Sequence, residues 1–224
     1  MWKGKDGFYN RYVKRFLDIV CSLLALIVFC WLFAIIAVLV RVKLGKPVIY
    51  KQPRPGRIDP ATGKEKIFNL FKYRSMTDER DEKGELLPGS VRLTEFGAKL
   101  RATSLDELPE FINILKGDMS LIGPRPLAVV YLPYYTSEER KRHLVRPGLT
   151  GLAQASGRNS ISWEEKFAYD VEYAENVSFL LDCRIIIKTV KAVLNHEGIG
   201  QGEKSPESFH IYRQRQMETA KGEK

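Results

Sequence analysis

The sequence predicts an α+β protein in which an N-terminal membrane-inserted helix precedes a compact, helix-rich cytoplasmic domain. That domain is expected to carry a short β-hairpin and interfacial amphipathic helices. Three observations carry the expectation. Ile19 to Val40 contains no charged residue. Two strand-like runs flank the turn sequence DPATGKE. The remainder shows apolar residues at helical spacing, punctuated by glycine, proline and Ser/Thr-x-x-Glu starts.

As a helix, Ile19 to Val40 would be about 33 Å long at about 1.5 Å per residue, enough for a hydrocarbon core of about 30 Å. It is too long for a cleaved signal peptide, and no small-x-small site follows it. Basic residues flank both ends: Lys3, Lys5, Arg11, Lys14 and Arg15 before it, Arg41, Lys43, Lys46, Lys51, Arg54 and Arg57 after it. The positive-inside rule draws both flanks to the cytoplasm, which favours a helix that enters and returns on one face. Such a bend is usually made by proline or glycine, and the segment has neither. Ser22 offers only a weak bend. On these residues alone, crossing and re-entrant forms both stay open.

Val48 to Lys51 and Lys66 to Lys72 are strand-like. TDERDEKGELLPGS mixes charge signs and turn residues, as a solvated loop does. Thr94 to Arg101 predicts a short helix. Leu108, Phe111, Ile112 and Leu115 predict another, stopped by Gly117. Thr136-x-x-Glu139 and Ser162-x-x-Glu165 open helices that end before Pro147 and near Asn176. A last helix, Phe179 to His196, carries Arg184, Lys188 and Lys191 on one face, as a helix on an anionic membrane surface would; an ordinary core helix has the same pattern. From Gly202 the chain is polar and expected to be mobile. The expected organisation is an anchor over 1–44, a catalytic domain over 45–201 and a polar tail over 202–224.

The chain has 224 residues and a net charge of +9, which points to an anionic partner. Its aromatics do not interleave with basic residues as a base-stacking surface requires, so nucleic acid is not expected. Cys21, Cys30 and Cys183 form no CxxC pair, and His143, His196 and His210 lack metal-ligand spacing.

RATSLDELPEF places Asp106 and Glu107 side by side. Ser104-x-x-Glu107 has the form of a capping box. Pro109 argues against a helix capped by Ser104, because it would then fall beyond the first turn. A start at Leu105 or Asp106 fits better and leaves the acids at a helix mouth. Arginines recur beside turn residues at Arg74, Arg125, Arg146 and Arg158, with Arg101 just before the acids. A guanidinium on a stiff turn is a directed fork for phosphate oxygens, although each alone also suits a surface ion pair. Carboxylates beside arginines and phosphates suggest Mg2+, which takes one or two carboxylates plus phosphate oxygens. Aspartate can serve as a covalent nucleophile toward phosphoryl groups. No P-loop or GxGxxG is present.

QPRPG, FKYRSM, SLDELPEFINILKGDMSLIGPRPL, RPGLTGLAQASGRN and DVEYAENVSFLLD together resemble the bacterial sugar transferase family, the monotopic phosphoglycosyl transferases, from about Lys14 to Leu194. The length is similar to that of the small, single-domain members. The resemblance implies transfer of a sugar-1-phosphate from a UDP-sugar to undecaprenyl phosphate, with UMP released. It implies a bacterial inner-membrane enzyme with its catalytic domain on the cytoplasmic face, in contact with anionic phospholipid. Asp106 falls on the family nucleophile, which forms a phosphosugar–enzyme intermediate in a ping-pong reaction, and Glu107 on its neighbour, with Mg2+ as cofactor at the pair. Arg101, Arg125 and Arg158 fall on family arginines that hold phosphates, and Lys72 and Asp170 on further motif positions. The resemblance also implies a re-entrant helix. One departure stands out: relatives break that helix with Ser-Pro, where this chain has Cys30-Trp31. Similarity around GRNSISWEEKF favours an N-acetylated or bacillosamine-type sugar. Two rival expectations are a membrane-anchored polyanion-binding protein without catalysis and a phosphohydrolase that uses the same aspartate with water.

Overall fold

The computed structural model describes residues 7–157, 161–195 and 207–222. A π-type turn, Tyr9–Val13, leads into α1 (Lys14–Val28), and α2 (Cys30–Lys43) follows across Phe29. A two-stranded hairpin comes next, β1 (Ile49–Ile58) with β2 (Glu65–Tyr73). Then come α3 (Gly89–Arg92), α4 (Glu95–Ala102), α5 (Glu110–Lys116) and β3 (Ser120–Ile122). Two 3-10 segments, Val129–Tyr134 and Glu139–Leu144, precede β4 (Gly148–Thr150). The chain closes with α6 (Leu152–Ser156), α7 (Trp163–Glu175), α8 (Phe179–Leu194) and α9 (Phe209–Gly222). It is a helix-rich α+β fold.

The hairpin is longer than its apolar runs suggested, since β1 continues through Pro53 and Pro55. In a two-stranded sheet each strand has one neighbour, so a proline can turn its missing donor to the outer edge. The reversal is an Asx turn, with Ala61 N donating to Asp59 Oδ1 at 2.9 Å, and Gly63 takes the positive φ of +66°.

Two compact units divide the chain. The smaller comprises Ile19–Gln52 and Asn69–Lys116; the larger takes the described parts of Met1–Asp18, Pro53–Phe68 and Gly117–Lys224.

In the smaller unit, Ile36, Val40 and Leu44 bury against Tyr73 and Leu100. The Tyr73 hydroxyl donates to the Phe33 carbonyl at 2.9 Å. These contacts fix the direction of α2. The helix pair bends by 66° at Phe29, where φ is −101° and ψ is 14°, with neither proline nor glycine at the break. Helical bonds persist on both sides, from Phe29 N to Ala25 O and from Phe33 N to Phe29 O, each 3.0 Å. Packing therefore sets a bend that local sequence does not encode. Among the described residues no single helix is long and apolar enough to cross a membrane, whereas the bent pair passes by length and composition. Leu23, Leu24, Ile27, Val28, Trp31 and Val38 are exposed along it.

The larger unit packs Ile122, Val145, Leu152, Tyr173, Ala174 and Ile185 into one core. β3 and β4 pair in parallel through Ser120↔Gly148 and Ile122↔Thr150, a pairing that their short lengths concealed in the sequence. A Cβ at Gly148 would stand 2.1 Å from Gly123 N, so the close approach requires glycine. Lys14 and Asp18, one turn apart on α1, are both buried. Lys14 Nζ pairs with Asp182 Oδ2 at 2.8 Å, and Asp18 Oδ1 accepts from Ser120 Oγ and Leu121 N, both at 2.9 Å. Lys14, read as a flanking charge, is thus also an internal partner.

Both Ser/Thr-x-x-Glu starts form their capping bonds. Ser162 opens α7 with a full capping box. Thr136 and Glu139 exchange bonds of 2.7 and 3.2 Å, but the segment that follows is a 3-10 helix rather than an α-helix. α8 buries Asp182, Ile185 and Ala192 and exposes Phe179, Leu180, Ile186, Ile187 and Val190 beside Arg184 and Lys188. In the polar stretch expected to be mobile, Phe209–Gly222 forms α9. Its anchor is Phe209, fully buried against Phe167 at 4.8 Å and stacked on Tyr135 at 5.4 Å between ring centroids. Polar contacts join it: Tyr212 donates to Glu164 Oε1 at 2.7 Å, and Arg213 pairs with Glu139.

Candidate active site

In the smaller unit, Thr94 caps α4, its hydroxyl accepting from Gly97 N at 3.1 Å. Gly97 lies against the chain leaving β2, and a Cβ there would meet Ser75 O at 1.8 Å. That close approach lets Arg101 Nε donate to Ser75 Oγ at 2.9 Å. After α4 the chain turns at Ser104, a non-glycine residue at φ +56° and ψ +16°. Such a conformation costs on the order of 1–2 kcal/mol. The Ser104 side chain caps nothing, so the capping-box reading fails. Leu105–Glu107 is instead one 3-10 turn, and α5 starts just beyond Pro109. The acids stand at a helix mouth, as Pro109 required.

Asp106 is buried, 7% exposed. Glu107 Oε1 lies 2.7 Å from Lys72 Nζ, and Glu110 Oε1 lies 3.2 Å from the same ammonium. One lysine therefore serves two carboxylates beside a third acid. Asn113 sets this register. Its Oδ1 accepts from Phe71 N at 2.9 Å and its Nδ2 donates to Asn69 O at 2.8 Å, so α5 is bonded to the β2 backbone on both sides of residue 70. The buried face of α5 is Glu110, Asn113 and Ile114. The apolar spacing of Leu108, Phe111, Ile112 and Leu115 marked a different, less buried face. Glu110 and Asn113 were missed because polar residues between apolar ones look like a solvent side.

The predicted phosphate ligands separate into groups. Lys72 and Arg101 share the smaller unit with Asp106 and Glu107. Arg125 and Asp170 belong to the larger unit, and Arg158 lies outside the described residues. Asp170 is 1% exposed, and its Oδ2 accepts from Arg142 Nε at 3.0 Å and Nη2 at 2.7 Å. Burial pushes its carboxyl above the ordinary value, and the Arg142 guanidinium opposes that shift. Arg142 Nη2 also donates to the Arg125 carbonyl at 2.7 Å. Arg142, missed in the charged run ERKRHL, thus ties Asp170 to the GPRP turn. Of the other turn arginines, Arg74 is buried, bonded to Lys46 O at 2.6 Å and Asp78 Oδ2 at 2.8 Å. Arg146 Nε donates to Gly117 O at 3.1 Å.

Among the described residues no group of three or more His, Cys, Asp or Glu side chains is arranged to hold a metal ion. An all-protein cage is therefore not offered. The adjacent carboxylates Asp106 and Glu107 fit the other regime, in which Mg2+ takes one or two carboxylates and completes its shell with phosphate oxygens and water.

Fold and site define a helix-rich α+β protein with adjacent acids at a helix mouth, one of them buried and the other braced by a lysine. A family model described as bacterial sugar transferase matches residues 9–196. The chain is 50% identical over 189 residues to the uncharacterized sugar transferase EpsL of Bacillus subtilis (strain 168), covering 84% of this chain and 91% of that protein. It is 39% identical to the UDP-glucose:undecaprenyl-phosphate glucose-1-phosphate transferase of Klebsiella pneumoniae, over 81% of this chain and 40% of that protein. It is 36% identical to the undecaprenyl-phosphate galactose phosphotransferase of Salmonella typhimurium (strain LT2), over 84% of this chain and 42% of that protein. The chain belongs to the bacterial sugar transferase family. It spans most of EpsL and less than half the length of the other two.

Proposed function

We propose that this protein is a phosphoglycosyl transferase that moves a sugar-1-phosphate from a UDP-sugar to undecaprenyl phosphate and releases UMP. The names of the Klebsiella and Salmonella relatives support the acceptor and the reaction class. The observation that carries the reading is the Asp106–Glu107 turn: a buried carboxylate, fixed by a left-handed residue on one side and a proline-led helix on the other.

In the first half-reaction an Asp106 oxygen attacks the β-phosphorus, the bond from that phosphorus to the bridging oxygen breaks, and UMP leaves with the electron pair. In the second, an oxygen of undecaprenyl phosphate attacks the same phosphorus and the Asp106 carboxylate departs unchanged. Mg2+, when bound, would be held by Asp106 and Glu107 and would offset the charge that a carboxylate meets in approaching an anionic phosphorus. Lys72 holds Glu107 in place through their 2.7 Å ion pair. The bent helix pair and the apolar, basic-flanked face of α8 support attachment to one leaflet. A re-entrant pair with its domain on the cytoplasmic face would bring soluble donor and lipid acceptor to one interface.

The test is UMP release from UDP-glucose, UDP-galactose and UDP-N-acetylgalactosamine with Mg2+, in the presence and absence of undecaprenyl phosphate. Lipid-dependent release is expected from one donor, and Asp106→Asn should lower it by roughly a thousandfold or more. Release without lipid would indicate a hydrolase. Release untouched by Asp106→Asn would overturn the nucleophile, and no release from any donor would leave the anion-binding reading in its place.

A further inference from the structure

On α7, Lys166 stands near the buried ion pair of Asp170 with Arg142. Lys166 and Asp170 stand one helical turn apart on that helix. Asp170 is already engaged by two nitrogens of Arg142. Arg142 also holds the Arg125 carbonyl, which keeps that second arginine close to the first. Lys166 adds a third cation. Its Nζ lies 4.2 Å from the centroid of the Trp163 ring, and among the described residues it has no carboxylate at ion-pairing distance. Trp163 is itself fixed, its Nε1 donating to the Glu207 carbonyl at 3.0 Å and its ring stacking on Phe167. Burial, and then the Arg142 and Arg125 guanidiniums, push the Lys166 ammonium below the ordinary lysine value, while Asp170 pulls it up. A partly buried ammonium, held at a desolvation cost, is stabilised by an incoming anion.

The geometry points to Lys166 as a phosphate-binding residue, its anion being either the diphosphate of the sugar-nucleotide donor or the phosphate of the lipid acceptor. This rests on the transferase reading for the identity of the ligand, and on the cluster alone for the phosphate chemistry. A purely structural lysine would act through its contact with Trp163, and its loss would lower stability. A ligand-binding lysine held partly away from water should behave in the opposite way: an apolar replacement relieves the desolvation cost and weakens binding.

Lys166→Met keeps an alkyl stem over Trp163 and deletes the charge; Lys166→Arg keeps the charge. With full-length protein, the melting temperature of Lys166→Met should equal or exceed that of the wild type. Its KM should rise about tenfold for one substrate, and Lys166→Arg should recover most of that loss. A rise for the UDP-sugar assigns the donor diphosphate, and a rise for undecaprenyl phosphate assigns the acceptor. Unchanged KM for both, or a lower melting temperature with unchanged KM, overturns the assignment. A second measurement does not depend on turnover: inorganic pyrophosphate should raise the melting temperature of the wild type more than that of Lys166→Met. Equal shifts overturn the proposal. If the wild type turns over no donor, the transferase reading fails and the pyrophosphate comparison still decides Lys166.

Discussion

The two charged clusters are built around opposite centres, a lysine in one and a carboxylate in the other. In the smaller unit, one ammonium, Lys72, stands between Glu107 and Glu110, with Asp106 on the same turn. In the larger unit, one carboxylate, Asp170, stands among Arg142, Arg125 and Lys166. Carboxylates can take a cation or an electrophilic phosphorus, and guanidinium and ammonium groups can take phosphate oxygens. The clusters also differ in how they are secured. The acidic one is set by backbone geometry and one amide, whereas the basic one is secured by a fully buried ion pair. Their failures should differ accordingly.

The largest effect is expected at that buried pair. Arg142→Met leaves the Asp170 carboxylate buried without its partner and should cost about 3–5 kcal/mol in urea denaturation. Arg142→Met combined with Asp170→Leu removes both charges and should recover most of that loss, because apolar replacement of a buried pair is often neutral. The double variant still lacks the bond to the Arg125 carbonyl. It should therefore fold and yet bind the donor poorly. A double variant with wild-type KM would mean that Arg142 serves stability alone.

The acidic cluster should yield a smaller effect with a sharper kinetic signature. Asn113→Leu removes the acceptor for Phe71 N and the donor to Asn69 O, both partly buried, at a cost of about 2 kcal/mol. The larger consequence is register: without that amide, α5 no longer holds Glu107 and Glu110 on Lys72. A fall in kcat of about tenfold with KM changed less than twofold would locate Asn113 in positioning the acids. Equal changes in both would show that the unit had loosened as a whole.

What could be read from sequence follows the same division. Local rules reported the acidic cluster well. Pro109 excluded a Ser104 cap, Gly117 stopped α5 at a φ of +87°, and the short helix expected over Thr94 to Arg101 forms with Thr94 as its cap. The basic cluster depends on contacts between segments far apart in the chain. Arg142 reaches Asp170 across 28 positions and lies in a run of charges that looks solvated. The same reason hid the pairing of β3 with β4, the docking of α9 through Phe209, and the bend at Phe29. Each is settled by a partner that no neighbouring residue announces. The resemblance supplied Asp106, Glu107 and the arginines as a set and marked Asp170 as a further motif position; the structure pairs Asp170 with Arg142.

The smallest expected effect separates the larger unit from the smaller by pH. His143 is buried beside Arg142, and its neutral Nδ1–H donates to the Gly56 carbonyl at 3.2 Å. Burial first, and then the Arg142 charge, hold its pKa well below the ordinary histidine value. Below about pH 6.5 the unfolded chain takes up a proton at this histidine and the folded chain does not. The stability it permits is therefore complete above that pH. It falls with acid at up to about 1.4 kcal/mol per pH unit until the folded pKa is reached. His143→Asn keeps a donor near Gly56 and removes the titration, so it should flatten the acid limb of the stability curve between about pH 6.5 and 5. A limb unchanged by this substitution would show that the acid sensitivity arises at groups other than His143.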